Sequence, residues 1–175
     1  LNARTLITNG CILPEITVGP ANWTLNRDET VNGDLYVGAN TIDLAGHKLT
    51  VNGKLIQSGG TMKVNGGRLE VSGDYRIQTE NTDSGGTVTY SGSSGYLQMT
   101  NEADYVSVGG SFVTQSSYDH TSYLTAGIIE VKGDFIQKYN SGYSNSCYNF
   151  RATGTHKVIL SGSGIQTVSF QNPAS

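Results

Sequence analysis

Five of the ten tyrosines fall in two short stretches, Tyr118 and Tyr123 within 116–123 and Tyr139, Tyr143 and Tyr148 within 138–154. Asp119, His120, Asn145, Asn149 and Arg151 stand among them. A tyrosine ring presents a flat apolar face with a polar tip, and Asn, Asp, His and Arg add directional hydrogen bonds. Together they suit a polyhydroxylated ring, whose CH face stacks and whose hydroxyls need partners. These ten residues are the candidate ligand contacts. The competing use of the same rings is to pack the two stretches onto the body of the protein.

Other chemistries find less to work with. His47, His120 and His156 lie far apart with no ligand spacing, which argues against zinc. Asn81, Asp83 and Asp119 are of the type that joins carbonyl oxygens around Ca²⁺, but the EF-hand pattern is absent. No metal or other cofactor is expected, with calcium kept only as an alternative. Asp34, Asp74 and Asp134 recur at one position but are interrupted there by Lys54 and Ser111. They read as solvated acids, since glycoside hydrolysis needs two carboxyl groups at a set separation across the sugar. No G-x-S-x-G elbow and no phosphate-binding glycine loop occurs. No catalytic residue is expected.

Charged residues make up only 14% of the chain and the net charge is −3, so there is no basic stripe for nucleic acid. No run nears the ~18 apolar residues that would cross a bilayer, so no membrane insertion is expected. No secretory signal pattern opens the chain, and any such segment is expected outside it. Low charge with abundant Tyr, Asn, Ser, Thr and Gly fits an extracellular setting. Cys11 and Cys147 form no ligand motif and read as independent thiols, one disulfide between them being the alternative.

The elements that must position the candidate residues are written in a repeat. Val31-Asn32-Gly33-Asp34-Leu35, Val51-Asn52-Gly53-Lys54-Leu55, Val71-Ser72-Gly73-Asp74-Tyr75, Val108-Gly109-Gly110-Ser111-Phe112 and Val131-Lys132-Gly133-Asp134-Phe135 share one pattern: Val, any residue, Gly, any residue, large apolar residue. A period near 20 residues marks a solenoid. A second half-rung reads Thr41-Ile42-Asp43-Leu44 and Thr61-Met62-Lys63-Val64, with a looser copy at Thr87-Val88-Thr89-Tyr90 that reaches Leu97. Alternation places Ile42, Leu44, Leu49, Val51, Leu55 and Gln57 inward and Asp43, Lys48, Thr50, Lys54 and Ile56 outward. No segment has a 3.6-residue period, so essentially no helix is expected.

These patterns predict an all-β protein, a single-stranded right-handed parallel β-solenoid with ~20-residue rungs. Leu35, Leu55, Tyr75, Phe112 and Phe135 should form one inward column and Val31, Val51, Val71, Val108 and Val131 another. The recurring glycine serves either a corner with φ > 0 or a close approach of backbones. Residues 1–175 read as one domain, with 1–30 an N-terminal cap, Trp23 its plug, and 31–175 the rungs. Loops at 79–86, 116–123 and 138–154 leave the repeat at one corner and should line one edge. The outward column Tyr36, Ile56, Arg76, Val113 and Ile136 is expected to lie under the N-terminal segment.

The stretch Gly154-Thr155-His156-Lys157-Val158-Ile159-Leu160-Ser161-Gly162-Ser163-Gly164-Ile165-Gln166-Thr167-Val168-Ser169-Phe170 resembles a repeat of large secreted bacterial surface and polysaccharide-acting proteins. With the Leu-x-Val-x-Gly-Asp-Phe-like rungs, the chain resembles a β-helical module of such proteins over roughly residues 31–172. Some modules of this kind bind plant cell-wall glucans or xylans. The resemblance therefore implies a secreted or cell-surface setting, covalently linked neighbouring domains and a polysaccharide partner. The expected function is a non-catalytic carbohydrate-binding module for xylan or a β-glucan, acting through the loop tyrosines. The alternatives are a structural spacer or adhesin stalk and a small polysaccharide lyase or hydrolase.

Overall fold

The computed structural model describes residues 16–18, by their backbone, and 22–171. The protein is all-β with parallel sheets. Seven strands form one sheet: Ile16–Val18, Leu35–Val37, Leu55–Gln57, Tyr75–Ile77, Phe112–Thr114, Phe135–Gln137 and Val168–Phe170. Six form a second: Glu29–Val31, Lys48–Val51, Arg68–Val71, Tyr105–Val108, Ile128–Val131 and Lys157–Leu160. Four form a third: Trp23–Thr24, Thr41–Asp43, Thr61–Lys63 and Tyr96–Gln98. Each sheet is open, ending in edge strands. Among the described residues the one helical element is a 3₁₀ turn, Ser144–Tyr148.

The chain visits the three sheets in rotation, and each strand pairs with its counterpart from the next visit. Leu49 sits beside Leu69, Leu69 beside Val106 and Val106 beside Ile129. Both predicted columns are present in register: Leu35, Leu55, Tyr75, Phe112 and Phe135 in one, Val31 through Val131 in the other, all buried. Some polar groups inside the core pair with one another. The hydroxyl of fully buried Tyr75 donates to Gln57 Oε1 at 2.7 Å, and Gln57 Nε2 donates to the Tyr96 carbonyl at 2.8 Å.

Two boundaries differ from the sequence expectation. Ile16–Val18, Trp23–Thr24 and Glu29–Val31 pair parallel with the strands one rung on, so the repeat reaches well into the stretch read as a cap. Trp23 is buried beside Ile42, in line with the third sheet. Thr87–Tyr90 is not a half-rung. Val88–Ser91 instead pairs antiparallel with Thr79–Thr82, and the strand that continues the third sheet is Tyr96–Gln98, with Leu97 beside Met62. The β-period is the same in both, so alternation alone could not separate a hairpin arm from a rung.

The corners explain the recurring glycine. None of Gly53, Gly73, Gly110 and Gly133 adopts a left-handed φ. Each donates its N–H to the carbonyl of the glycine one rung back, at 3.1, 2.9, 2.9 and 2.8 Å, and a Cβ at any of them would run into that rung's backbone. The glycine is there for close approach. Left-handed geometry is used elsewhere, at Ala45-Gly46 and Asn65-Gly66, where consecutive positive φ values and the His47→Leu44 and Gly67→Val64 hydrogen bonds make primed turns. The acids after the glycine, half-exposed to solvent, also act as staples. Asp34, Asp74 and Asp134 accept the N–H of Lys54, Ser111 and Thr167 in the following rung, each at 2.8 Å.

Candidate ligand-binding edge

Insertions depart after Ile77, Gln115 and Gln137, and they are built differently. The first is the hairpin Thr79–Thr82/Val88–Ser91, closed by Asp83 Oδ1 accepting the N–H groups of Gly85 and Thr87 at 2.8 and 2.9 Å. It contacts the seven-stranded sheet along the outward column. Glu80 Oε2 lies 2.5 Å from Lys54 Nζ and accepts from the Tyr90 hydroxyl at 3.1 Å, while Oε1 accepts from the Tyr36 hydroxyl at 3.2 Å. The Arg76 guanidinium stacks 4.3 Å from the Tyr90 ring centroid and is bonded to Asp74. Partial burial acts to raise the Glu80 pKa, but the bonds from Lys54, Tyr90 and Tyr36 outweigh it and hold the carboxylate below its usual range. Ile56 is buried although alternation points it outward; the hairpin is the cover that the described residues supply there.

The other two insertions form one continuous edge. The His120 N–H donates to the Tyr148 carbonyl at 3.0 Å. Asn149 Nδ2 donates to the carbonyls of Ser116 and Lys138 at 3.1 and 2.8 Å, and Asn140 Nδ2 donates to Ser117 Oγ at 3.0 Å. Asn149, Ser116, Ser146 and His120 are all buried. Buried neutral hydrogen bonds therefore join 116–123 to 138–150.

This arrangement sorts the ten candidate residues. Tyr118 is 42% exposed, and its ring stacks on that of Tyr96 with centroids 4.7 Å apart and planes at 16°. Half-buried Tyr123 also lies 4.7 Å from Tyr96, at 35°. Tyr96, on the strand Tyr96–Gln98, thus ties both loop tyrosines to the third sheet. The sequence reading missed it because it assigned that rung to Thr87–Tyr90. Burial, with smaller contributions from Tyr123, Tyr118 and Asp119, pushes the Tyr96 hydroxyl up to about 12, so it stays protonated. Tyr143, 55% exposed, and exposed Asn145 lie at the start of the 3₁₀ turn. Arg151 is exposed, with its guanidinium 5.0 Å from the ring of half-buried Tyr148. Asp119 is exposed, and its Oδ1 accepts the Thr121 N–H at 2.7 Å. Tyr139 is half-buried, with its N–H donating to Gln171 Oε1 at 3.1 Å.

Two candidates are not on the surface. His120 is fully buried; its Nε2 accepts the Leu97 N–H at 3.3 Å, which leaves the proton on Nδ1, 3.1 Å from the Tyr118 carbonyl. Burial brings its pKa down to about 4, so the ring is neutral. Asn149 is likewise buried and committed to two backbone carbonyls. Both residues belong to the framework under the edge and cannot touch a ligand there.

A depression of about 560 Å³ lies on the six-stranded sheet where Ser72, Ser107 and Gly109 leave space between Arg68 and Lys132. Two of its charged groups, Arg68 and Glu70, are engaged with each other. Arg68 pairs with Glu70 at 2.6 Å and stacks 4.1 Å from Tyr105, and Glu130 accepts from the Tyr105 and Ser161 hydroxyls. Among the described residues, the carboxylates whose pKa is shifted (Asp43, Glu80, Asp83 and Glu130) are shifted down, which is the wrong direction for a general acid. Among the described residues no three His, Cys, Asp or Glu side chains gather as a metal site. The Cys147 thiol, half-buried, points at the Ser144 carbonyl at 3.1 Å; Cys11 lies outside the described residues.

No family model, curated protein or solved structure matches this chain.

Proposed function

We propose that the protein is a non-catalytic carbohydrate-binding module built on a right-handed parallel β-solenoid, working outside the cell within a larger protein. The sheet order supports the solenoid, since three parallel sheets visited in rotation are joined by crossovers of the kind that strongly favour the right hand. The observation that carries the binding reading is the ring group Tyr96–Tyr118–Tyr123, with Tyr118 exposed on an edge whose loops are fixed by buried hydrogen bonds. A ring fixed before the ligand arrives loses little freedom on binding. Tyr118 and Tyr143 supply stacking faces, and Asp119, Asn145 and Arg151 supply hydrogen bonds to hydroxyls. Xylan or a β-glucan, long and weakly charged, suits this edge.

Affinity gel electrophoresis against xylan, mixed-linkage glucan and pectin tests the reading. Retardation on at least one polymer is expected, and Tyr118→Ala should weaken it about tenfold or more, a loss of roughly 1.5 kcal/mol for one stacked ring. Unretarded migration on all three would remove the reading and leave a rigid spacer, which the stapled, glycine-stacked corners also favour.

A further inference from the structure

The loop that carries Tyr118 takes the place of a rung. The strand Tyr96–Gln98, last in the third sheet, meets the following turn of chain at two single bridges, Ser93 with Ser116 and Met99 with Leu124. At these bridges backbone bonds to backbone: the Ser117 N–H donates to the Ser93 carbonyl at 2.9 Å and the Met99 N–H to the Tyr123 carbonyl at 2.7 Å. Between them the chain swings out with Tyr118 and Asp119 exposed, and side chains take over the ladder. Ser116 Oγ donates to the Gly95 carbonyl at 2.8 Å, and His120 Nε2 accepts the Leu97 N–H at 3.3 Å. In a regular rung that N–H would meet a backbone carbonyl, which does not titrate. Here it meets an imidazole, fully buried and able to accept only while Nε2 is unprotonated.

We propose that His120 is the positioning residue of this edge and its acid switch: the neutral ring holds Tyr118 against Tyr96, and uptake of a proton frees the loop and releases the glycan. The inference rests on the binding reading above. The neutral ring joins the strand of Tyr96 to the backbone of Tyr118, since Nε2 accepts from Leu97 while Nδ1–H donates to the Tyr118 carbonyl at 3.1 Å. A second proton on the ring would set two donors, Nε2–H and the Leu97 N–H, face to face in a buried site. The groups facing the ring come from three places. The strand supplies Tyr96, with ring centroids 5.4 Å apart, and the loop itself supplies Tyr123 at 6.3 Å and the Asp119 charge. The 3₁₀ turn supplies the Tyr148 carbonyl, which accepts the His120 N–H. Asp119 favours the proton, but burial outweighs it, so the proton is taken up with opening of the loop. Relative to pH 7, opening gains about 20-fold at pH 5 and about 100-fold at pH 4, for a ring that titrates near 6.5 when freed and at about 4 when closed.

Calorimetric titration with soluble xylan and with mixed-linkage glucan at pH 7, 5 and 4 tests the switch. For a polymer that binds at pH 7, the dissociation constant should rise about tenfold or more by pH 4. In His120→Gln the amide can accept from Leu97 and donate to Tyr118 but does not titrate. It should cut that ratio to about threefold or less, whatever the affinity at pH 7. Asp119 and His156 remain in the variant, so acid losses that belong to them, or to unfolding elsewhere, persist there. Nuclear magnetic resonance on the parent needs neither variant nor glycan: cross-peaks between the Tyr118 and Tyr96 rings should fade as His120 protonates and the pH falls towards 4. A parent that binds equally at pH 7 and pH 4 overturns the proposal. So does a variant that keeps the parent's ratio, or ring cross-peaks that persist at pH 4. If neither polymer binds at pH 7 the binding reading falls by itself, and the cross-peaks still decide whether His120 frees the loop.

Discussion

After Ile77 the chain turns out into a hairpin held to the sheet by Glu80, set between Lys54 and the hydroxyls of Tyr36 and Tyr90. After Gln115 and Gln137 it turns out into loops held by His120 and Asn149, buried and neutral, bonded to backbone. The two fastenings answer to different variables. Partly exposed charges are screened by salt and weaken when a partner titrates, whereas buried neutral hydrogen bonds feel salt little and fail when a partner is deleted or forced to ionise. The hairpin lies over an outward column of the sheet and presents no exposed aromatic ring. The later loops carry Tyr118 and Tyr143. The edge proposed to bind, if it is to keep its rings in place, is better served by the second fastening.

Acid separates the two regions most strongly. Burial lowers the His120 pKa to about 4, against a smaller opposing contribution from its bond to the Tyr118 carbonyl and the Asp119 charge. The unfolded imidazole takes up its proton near pH 6.5, so this contribution is complete above pH 6.5 and is lost as pH falls towards 4. The loss amounts to about 3 kcal/mol. Half-buried His156 is shifted the same way. Glu80 has a lowered pKa, so its contribution persists above the usual carboxylate range and goes only at lower pH. Amide hydrogen exchange followed from pH 7 downwards should therefore show 116–123 losing protection before 79–91, after correction for the intrinsic pH dependence of exchange. Simultaneous loss would mean that the two fastenings do not act separately.

Asn149→Ala is next in size. It strips the Ser116 and Lys138 carbonyls of their donor inside the edge, which should cost about 2 kcal/mol in denaturant unfolding. Protection should fall in 116–123 and 138–150, with the hairpin unchanged. If hairpin protection fell as well, the loops would be supporting the hairpin and the contrast between them would be lost.

How legible these regions were in the sequence follows from their periods. Val-x-Gly-x-apolar fixed both inward columns in register, because a stacked rung must repeat its inward side chains at each visit. The edge was located by where the repeat lets go, and Tyr118, Tyr123, Tyr143, Asn145 and Arg151 are on it with some surface exposed. Burial of His120 and Asn149 was not legible. Their partners are backbone groups of Leu97, Tyr118, Ser116 and Lys138, and any residue supplies a backbone group, so no side-chain pattern announces the contact. Tyr96 was missed for another reason: Thr87–Tyr90 alternates as well as a rung does, and only pairing with Thr79–Thr82 assigns it to a hairpin. The acids Asp34, Asp74 and Asp134 recur because a rung's backbone needs an acceptor at that corner, a cause that composition does not reveal.

The smallest expected effect sharpens the comparison from the hairpin side. In Glu80→Gln the side chain keeps its length and can still accept from Tyr36 or Tyr90, so shape is preserved and only the charge opposite Lys54 is lost. Lys54 retains Asp34 at 3.6 Å as a second acidic neighbour, which limits the damage. Partial burial acts to lower the Lys54 pKa, but the bond to Glu80 and its charge raise it. Without them the lysine should titrate earlier at alkaline pH. The loss at neutral pH should be about 1 kcal/mol or less at low salt, shrinking as salt is raised. Exchange in 79–91 should rise, and that rise should shrink measurably, without vanishing, at about 1 M salt, because the 2.5 Å contact is partly buried and lies within the screening length of about 3 Å. The Asn149→Ala effect on 116–123 should not change over the same range. A Glu80→Gln effect independent of salt would show that Glu80 acts through shape and hydrogen bonding alone, and the hairpin would then be fastened in the same way as the loops 116–123 and 138–150.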